Sequence, residues 1–186
     1  MSAETPKPAN IEFINLSTNK IAEPLFAHRV DEGHFDIARF SPQRPFLVTR
    51  GLSACKGLAF YRASDQLGLL AHISIVNDPE RLISGLVHEV GGTLRGIDAY
   101  LIMGTYESRN SGKDPYWERK WPTLDELIRE IQKHSPSRLL VDAHPGSGMK
   151  STALNLENGK LHEIDLSTEV TWSDHDTLFN RSLRKL

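Results

Sequence analysis

Apolar residues fall along this chain in short runs separated by Gly, Pro and Asp clusters, and two later stretches switch to the spacing of a helix. Residues 45–50 (PFLVTR) read as a short buried strand and residues 56–62 (KGLAFYR) as a second. Turn residues fill 63–66, and 67–76 (LGLLAHISIV) form a third strand, apolar on both faces and therefore central. Residues 11–16 make a weaker strand, and 17–44, interrupted by Pro24, Gly33 and Pro42, read as irregular. Asp78 then caps a helix with Pro79 in its first turn, and Leu82, Ile83, Leu86, Val87 and Val90 line one stripe before Gly91 and Gly92 end it. A second helix opens on the capping-box pattern Thr123 to Glu126, shows Leu124, Leu127, Ile128 and Ile131 on one face, and stops by Pro136. Strands at 99–103 and 138–143 follow the helices. Residues 151–156 and 160–166 flank Asn158-Gly159, a hairpin signal. This order predicts an α+β protein with a mixed sheet rather than a repeated βαβ unit. Residues 104–122 form the longest loop-like stretch, a suitable rim for a site.

At 186 residues the chain fits one domain: a polar tail over 1–10 and a single catalytic-type domain over 11–186. Its net charge of −2 offers no general attraction for phosphate backbones, so nucleic acid is not the expected partner. No apolar run approaches the roughly 20 residues of a membrane span, and the start of the chain lacks the basic-then-apolar pattern of a signal peptide. A single cysteine rules out an internal disulfide and any CxxC motif, which suits a reducing, cytoplasmic setting.

That cysteine is the candidate for chemistry. If the strands on either side of residue 63 form a tight hairpin, facing residue numbers sum to 127, and Cys55 faces His72. Their Cβ atoms would then lie roughly 5 Å apart, close enough for an imidazole to take the thiol proton. Gly57 would face Leu70 and Ala59 would face Gly68. These small residues either open a cleft beside the thiol or allow another layer to pack closely. Thr49 offers a hydroxyl to fix the imidazole tautomer. The turn through Ser53 and Ala54 could aim an N–H or hydroxyl at a developing oxyanion. A lone cysteine is also frequently an inert core residue, and a strand histidine is often a hydrogen-bonded core residue.

The segments VTRGLSACKGLAFY (48–61) and LGLLAHI (67–73) resemble the active-site region of the chemoreceptor glutamine deamidases of the CheD family. That family has a threonine six residues before the cysteine and a histidine seventeen after it, positions held here by Thr49, Cys55 and His72. Leu52, Ser53, Ala54 and Cys55 also resemble the LSGC signature of toxin deamidases of the cytotoxic necrotizing factor type. Ala54 stands where those signatures have glycine, and Ile73 to Val76 replaces the CheD-like Met-Leu-Pro. The resemblance implies two packed mixed sheets flanked by helices in four layers, α/β/β/α. It also implies hydrolysis of a protein glutamine side-chain amide through a Cys55 thioester, with no cofactor. The partner would be a protein bearing an accessible glutamine. Related acyl-enzyme chemistry (transglutamination or peptide cleavage) and a non-catalytic binding module with the same fold are the alternatives.

No metal is expected: His88-Glu89 lacks the second histidine of HExxH, and Asp174-His-Asp176 reads as a polar turn. Asp142 and His144 stand where a strand meets a Gly-rich loop, suited either to substrate contact or to turn formation. Gly146-Ser-Gly148 is too short for a phosphate loop, and Trp117 and Trp121 could meet a partner or cap the core.

Overall fold

In the computed structural model, residues 10–74, 78–104, 122–144, 149–165, 167, 171 and 180–186 are described. The strands are β1 (Ile11–Phe13), β2 (Lys20–Ala22), β3 (Ala27–Val30), β4 (His34–Arg39), β5 (Phe46–Leu52), β6 (Lys56–Arg62) and β7 (Leu67–Ile73). Helix α1 (Pro79–Glu89), β8 (Ile97–Met103), α2 (Leu124–Lys133), β9 (Arg138–Asp142), β10 (Lys150–Asn155), β11 (Leu161–Asp165) and β12 (Arg181–Ser182) follow. They build two mixed sheets. One has seven strands in the order β1-β9-β8-β6-β7-β4-β12, the other five in the order β2-β11-β10-β5-β3.

The alternation of β6 explains the layering. Leu58 and Phe60 point to a core shared with α1 and α2, whereas Ala59 and Tyr61 point to a core shared with the five-stranded sheet. The helices are the elements the spacing predicts. The Asp78 side chain accepts from the Arg81 N–H, and Leu82, Ile83, Leu86 and Val87 are buried at about 1.5–3 kcal/mol each. Thr123 and Glu126 complete the capping box, and Leu127 and Ile131 face the same core. Two sheets with helices outside the larger one are therefore present. Among the described residues, no helix covers the outer face of the five-stranded sheet.

Two expectations are corrected. Residues 17–44 are not irregular: they carry β2, β3 and β4, besides a 3-10 turn at Leu16–Thr18. Their pattern is hidden because Arg29, in the middle of β3, is fully buried, its guanidinium paired with the buried Glu23 carboxylate, which Arg50 of β5 also engages. A charged residue that carries its counter-charge inward breaks the apolar alternation on which a strand is recognised.

The register also differs. Gly57, not Cys55, faces His72, and Ala59 faces Leu70. The turn takes in residues 63–66, with Gln66 at φ 51° and Arg62 Nε holding Asp65 Oδ1 at 2.7 Å, so facing numbers sum two higher than a tight turn would give. Nor do the small residues open a cleft. A Cβ on Gly57 would meet Ile102 Cδ1 at 2.9 Å, and one on Gly68 would collide with Leu156 and Leu154 of the facing layer. Close packing of the two sheets is what they serve.

The tail through residue 9, Trp117, Trp121, residues 146–148 and residues 174–176 lie outside the described residues.

Candidate functional site

Cys55 lies in the bend between β5, in the five-stranded sheet, and β6, in the seven-stranded sheet. The chain crosses from one layer to the other there, and Gly51 takes φ +75° as the crossing begins. Gly104, at the end of β8, packs against this bend so tightly that a Cβ there would lie 2.6 Å from the Cys55 carbonyl oxygen and collide with that of Ser53. Lys56 Nζ donates to the Ala54 carbonyl at 3.1 Å and holds the peptide before Cys55 from one side. Ser53 N–H is committed to Gly51 O at 2.8 Å, leaving its hydroxyl for other contacts. Ser53 and Ala54 are half-buried, whereas Cys55 is 3% exposed.

His72 sits on β7 with its side chain turned, like that of Leu70, into the space between the sheets. It is 2% exposed, and Thr49 of β5 is fully buried beside it. Thr49 Oγ1 lies 2.8 Å from His72 Nδ1 and donates at 2.8 Å to the Val30 carbonyl. A hydroxyl has one proton. With that proton given to Val30, the Thr49 oxygen accepts, so Nδ1 carries hydrogen and Nε2 carries the lone pair. His72 Nε2 is buried and has no hydrogen-bond partner among the described residues. Burial pushes this imidazole down to about 4, so it is a neutral base at neutral pH.

The wrong register does not separate the pair. A His72 ring nitrogen, Cys55 Sγ and a carboxylate oxygen of Glu32 lie within 4.8 Å of one another. The bend places Cys55 two residues before Gly57, the residue facing His72, and brings the thiol to the imidazole from the strand end. Burial, and then the Glu32 charge, push the thiol up to about 12, with Lys56 pulling the other way. At rest the pair is therefore a neutral thiol beside a neutral imidazole.

Glu32 is the residue that sequence reasoning missed. It sits in the turn Asp31-Glu32-Gly33, which links β3 of one sheet to β4 of the other. The turn is fastened to the site: Gly33 N–H donates to the His72 carbonyl at 2.9 Å, and Gly33 adopts φ +74°. The signal was an Asp-x-Gly turn between the apolar Val30 and Phe35. Glu32 is exposed and marks the side on which the trio meets solvent.

The donor types of Glu32, Cys55 and His72 are those zinc accepts. Neighbouring donors of a tetrahedral zinc lie about 3.4 Å apart, and the three ligand atoms here lie within 4.8 Å of one another. Asp142 is fully buried, with its carboxylate 2.7 Å from Lys150 Nζ, which also donates to His144 O at 2.7 Å. Lys150 pairs in register with Leu52, so this ion pair braces the same end of the two sheets. A surface pocket of about 470 Å³, lined by His28, Asp36, Arg39 and Arg44 among others, involves none of the trio.

Among the described residues no helix is long and apolar enough to cross a membrane. No family model matches the chain, and no curated protein matches it. Among solved structures it is similar to a Neisseria meningitidis protein, NMB0706, of the family DUF152. The two share 12% identity over 78% of this chain and 74% of that one, with a TM-score of 0.39.

Proposed function

We propose that this chain is a cysteine-dependent amidohydrolase that converts glutamine side chains of a cytoplasmic protein partner to glutamate, with Cys55 as nucleophile, His72 as base and acid, and Thr49 as the group that fixes the imidazole. The observation that carries the reading is the Thr49–His72 hydrogen bond. It leaves the lone pair on Nε2, which has no hydrogen-bond partner among the described residues, on an imidazole with a ring nitrogen within 4.8 Å of the only thiol of the chain.

In this mechanism His72 Nε2 takes the thiol proton as sulfur bonds to the carboxamide carbon. Because both groups are neutral at rest, the transfer accompanies attack rather than preceding it. N–H groups of the Ala54–Cys55 segment and the Ser53 hydroxyl receive the developing oxyanion. The imidazolium returns its proton to the departing nitrogen, ammonia leaves, and a thioester remains on Cys55. Water, deprotonated by the same nitrogen, then attacks the thioester; the C–S bond breaks, the imidazolium returns that proton to Cys55 Sγ, and glutamate leaves. No cofactor enters any step.

The test is incubation of candidate glutamine-bearing proteins with the wild type and with Cys55→Ser. Ammonia release and amide-to-acid conversion by the wild type alone support the reading. Amine incorporation in place of ammonia loss would assign transglutamination. A second reading, a binding module without turnover, draws on the 3% exposure of Cys55. It predicts a thiol inert to reagents and substrates alike.

A further inference from the structure

Resting on the amidohydrolase reading, we infer that Glu32 selects a primary carboxamide as substrate and couples its arrival to release of the thiol proton. The carboxylate within 4.8 Å of both Sγ and the imidazole accepts a hydrogen bond from the thiol in the free protein, and an N–H of the substrate NH2 replaces it.

Three observations place Glu32 for this role. It is the exposed member of the trio, so a substrate entering from solvent meets its carboxylate first. Its backbone is fixed relative to the reacting groups. Gly33 N–H bonds to the His72 carbonyl, His34 N–H closes the turn onto Asp31 O at 3.1 Å, and Asn180 Nδ2 holds Asp31 Oδ2 at 3.1 Å. Finally, His72 Nε2, which has no hydrogen-bond partner among the described residues, supplies the acceptor that the thiol proton needs once Glu32 lets it go.

The chemistry of the carboxamide fits this placement. Its two N–H bonds match an acceptor-only carboxylate, and its carbonyl is left for the donors around Cys55. A carboxylate or ester has no such donor. When an N–H of the substrate occupies Glu32, the Sγ–H bond is free to point at His72 Nε2. The S–H bond then breaks to the imidazole, the C–S bond forms, and the C–N bond breaks with the same proton leaving on ammonia. The product glutamate carries a negative charge that Glu32 repels, which favours its departure.

The experiment compares Glu32→Gln and Glu32→Asp with the wild type, in the presence of EDTA so that metal capture plays no part. Three rates are measured: hydrolysis of a glutamine peptide, hydrolysis of the matching glutamate γ-methyl ester peptide, and iodoacetamide alkylation of the free protein. Both peptides deliver the same acyl group to Cys55, and only the amide can donate to Glu32. For Glu32→Gln the expected result is amide kcat/KM down roughly 10- to 100-fold, ester kcat/KM undiminished or raised along with the freed thiol, and alkylation about tenfold faster. Glu32→Asp, which keeps the charge, should alkylate as slowly as the wild type. Equal losses on amide and ester, or no loss on either, would overturn the inference and leave the nucleophile assignment standing. A wild type that turns over neither peptide would overturn the amidohydrolase reading and this inference together.

Discussion

The hydroxyl of Thr49 stands 2.8 Å from Nδ1 of His72 while donating at 2.8 Å to the carbonyl of Val30, and this arrangement leaves the lone pair of the imidazole on Nε2. Thr49→Val keeps the shape and removes the oxygen, taking the acceptor from the buried His72 Nδ1–H and one donor from the buried Val30 carbonyl. Stability should fall on the order of 2 kcal/mol and activity roughly 100-fold. Thr49→Ser should restore most of both, because it returns the oxygen. Denaturant melts run beside steady-state assays separate the two effects. Equal activity in the Val and Ser variants would remove Thr49 from the mechanism.

Acid should destabilise the fold through His72. Its folded-state value, pushed by burial to about 4, lies below the 6.5 of the unfolded chain. The unfolded state therefore binds the proton first. Stability is fully present above pH 6.5 and is lost as pH falls toward 4, by on the order of 3 kcal/mol in all. Urea unfolding across that range should show the loss in the wild type and a shallower slope in His72→Gln.

The thiol predicts the opposite limb. With Cys55 held up at about 12, almost no thiolate exists at neutral pH. The iodoacetamide rate should climb about tenfold per pH unit from 8 to 11, with no plateau near 7. Mass spectrometry of the alkylated protein over a pH series reads this directly. A neutral-pH plateau would mean a preformed thiolate–imidazolium pair.

Gly104→Ala probes the bend itself. The added methyl meets backbone oxygens of Ser53 and Cys55, which cannot swing aside as a side-chain end would. Displacing that bend moves Sγ from His72. The expected outcome is loss of most activity with a stability cost of about 1–3 kcal/mol, read by activity at a temperature well below the melt.

Much of this was legible in the sequence, and what was not has a physical reason. Both helix caps were readable because capping is local: Asp78 and Thr123 satisfy N–H groups within three residues of themselves. Strands β6 and β9 were also readable from their apolar runs. β3 was not, since its buried Arg29 depends on Glu23 and Arg50, contacts that no local pattern announces. The sequence spacing sets Cys55 beside His72, but through a hairpin register that the wider turn at residues 63–66 does not form. Their approach depends on the inter-sheet bend. Glu32 is hidden for the same reason as β3: the turn carrying it is tied to His72 by a bond between residues far apart in the chain.

One measurement bears on the nucleophile most directly: intact-mass analysis of the protein, acid-quenched during turnover of a glutamine peptide. The account predicts a peptide acyl adduct that maps to Cys55, is released by hydroxylamine, and is absent in Cys55→Ala. Undiminished ammonia release by Cys55→Ala, with no adduct on the wild type, would contradict it.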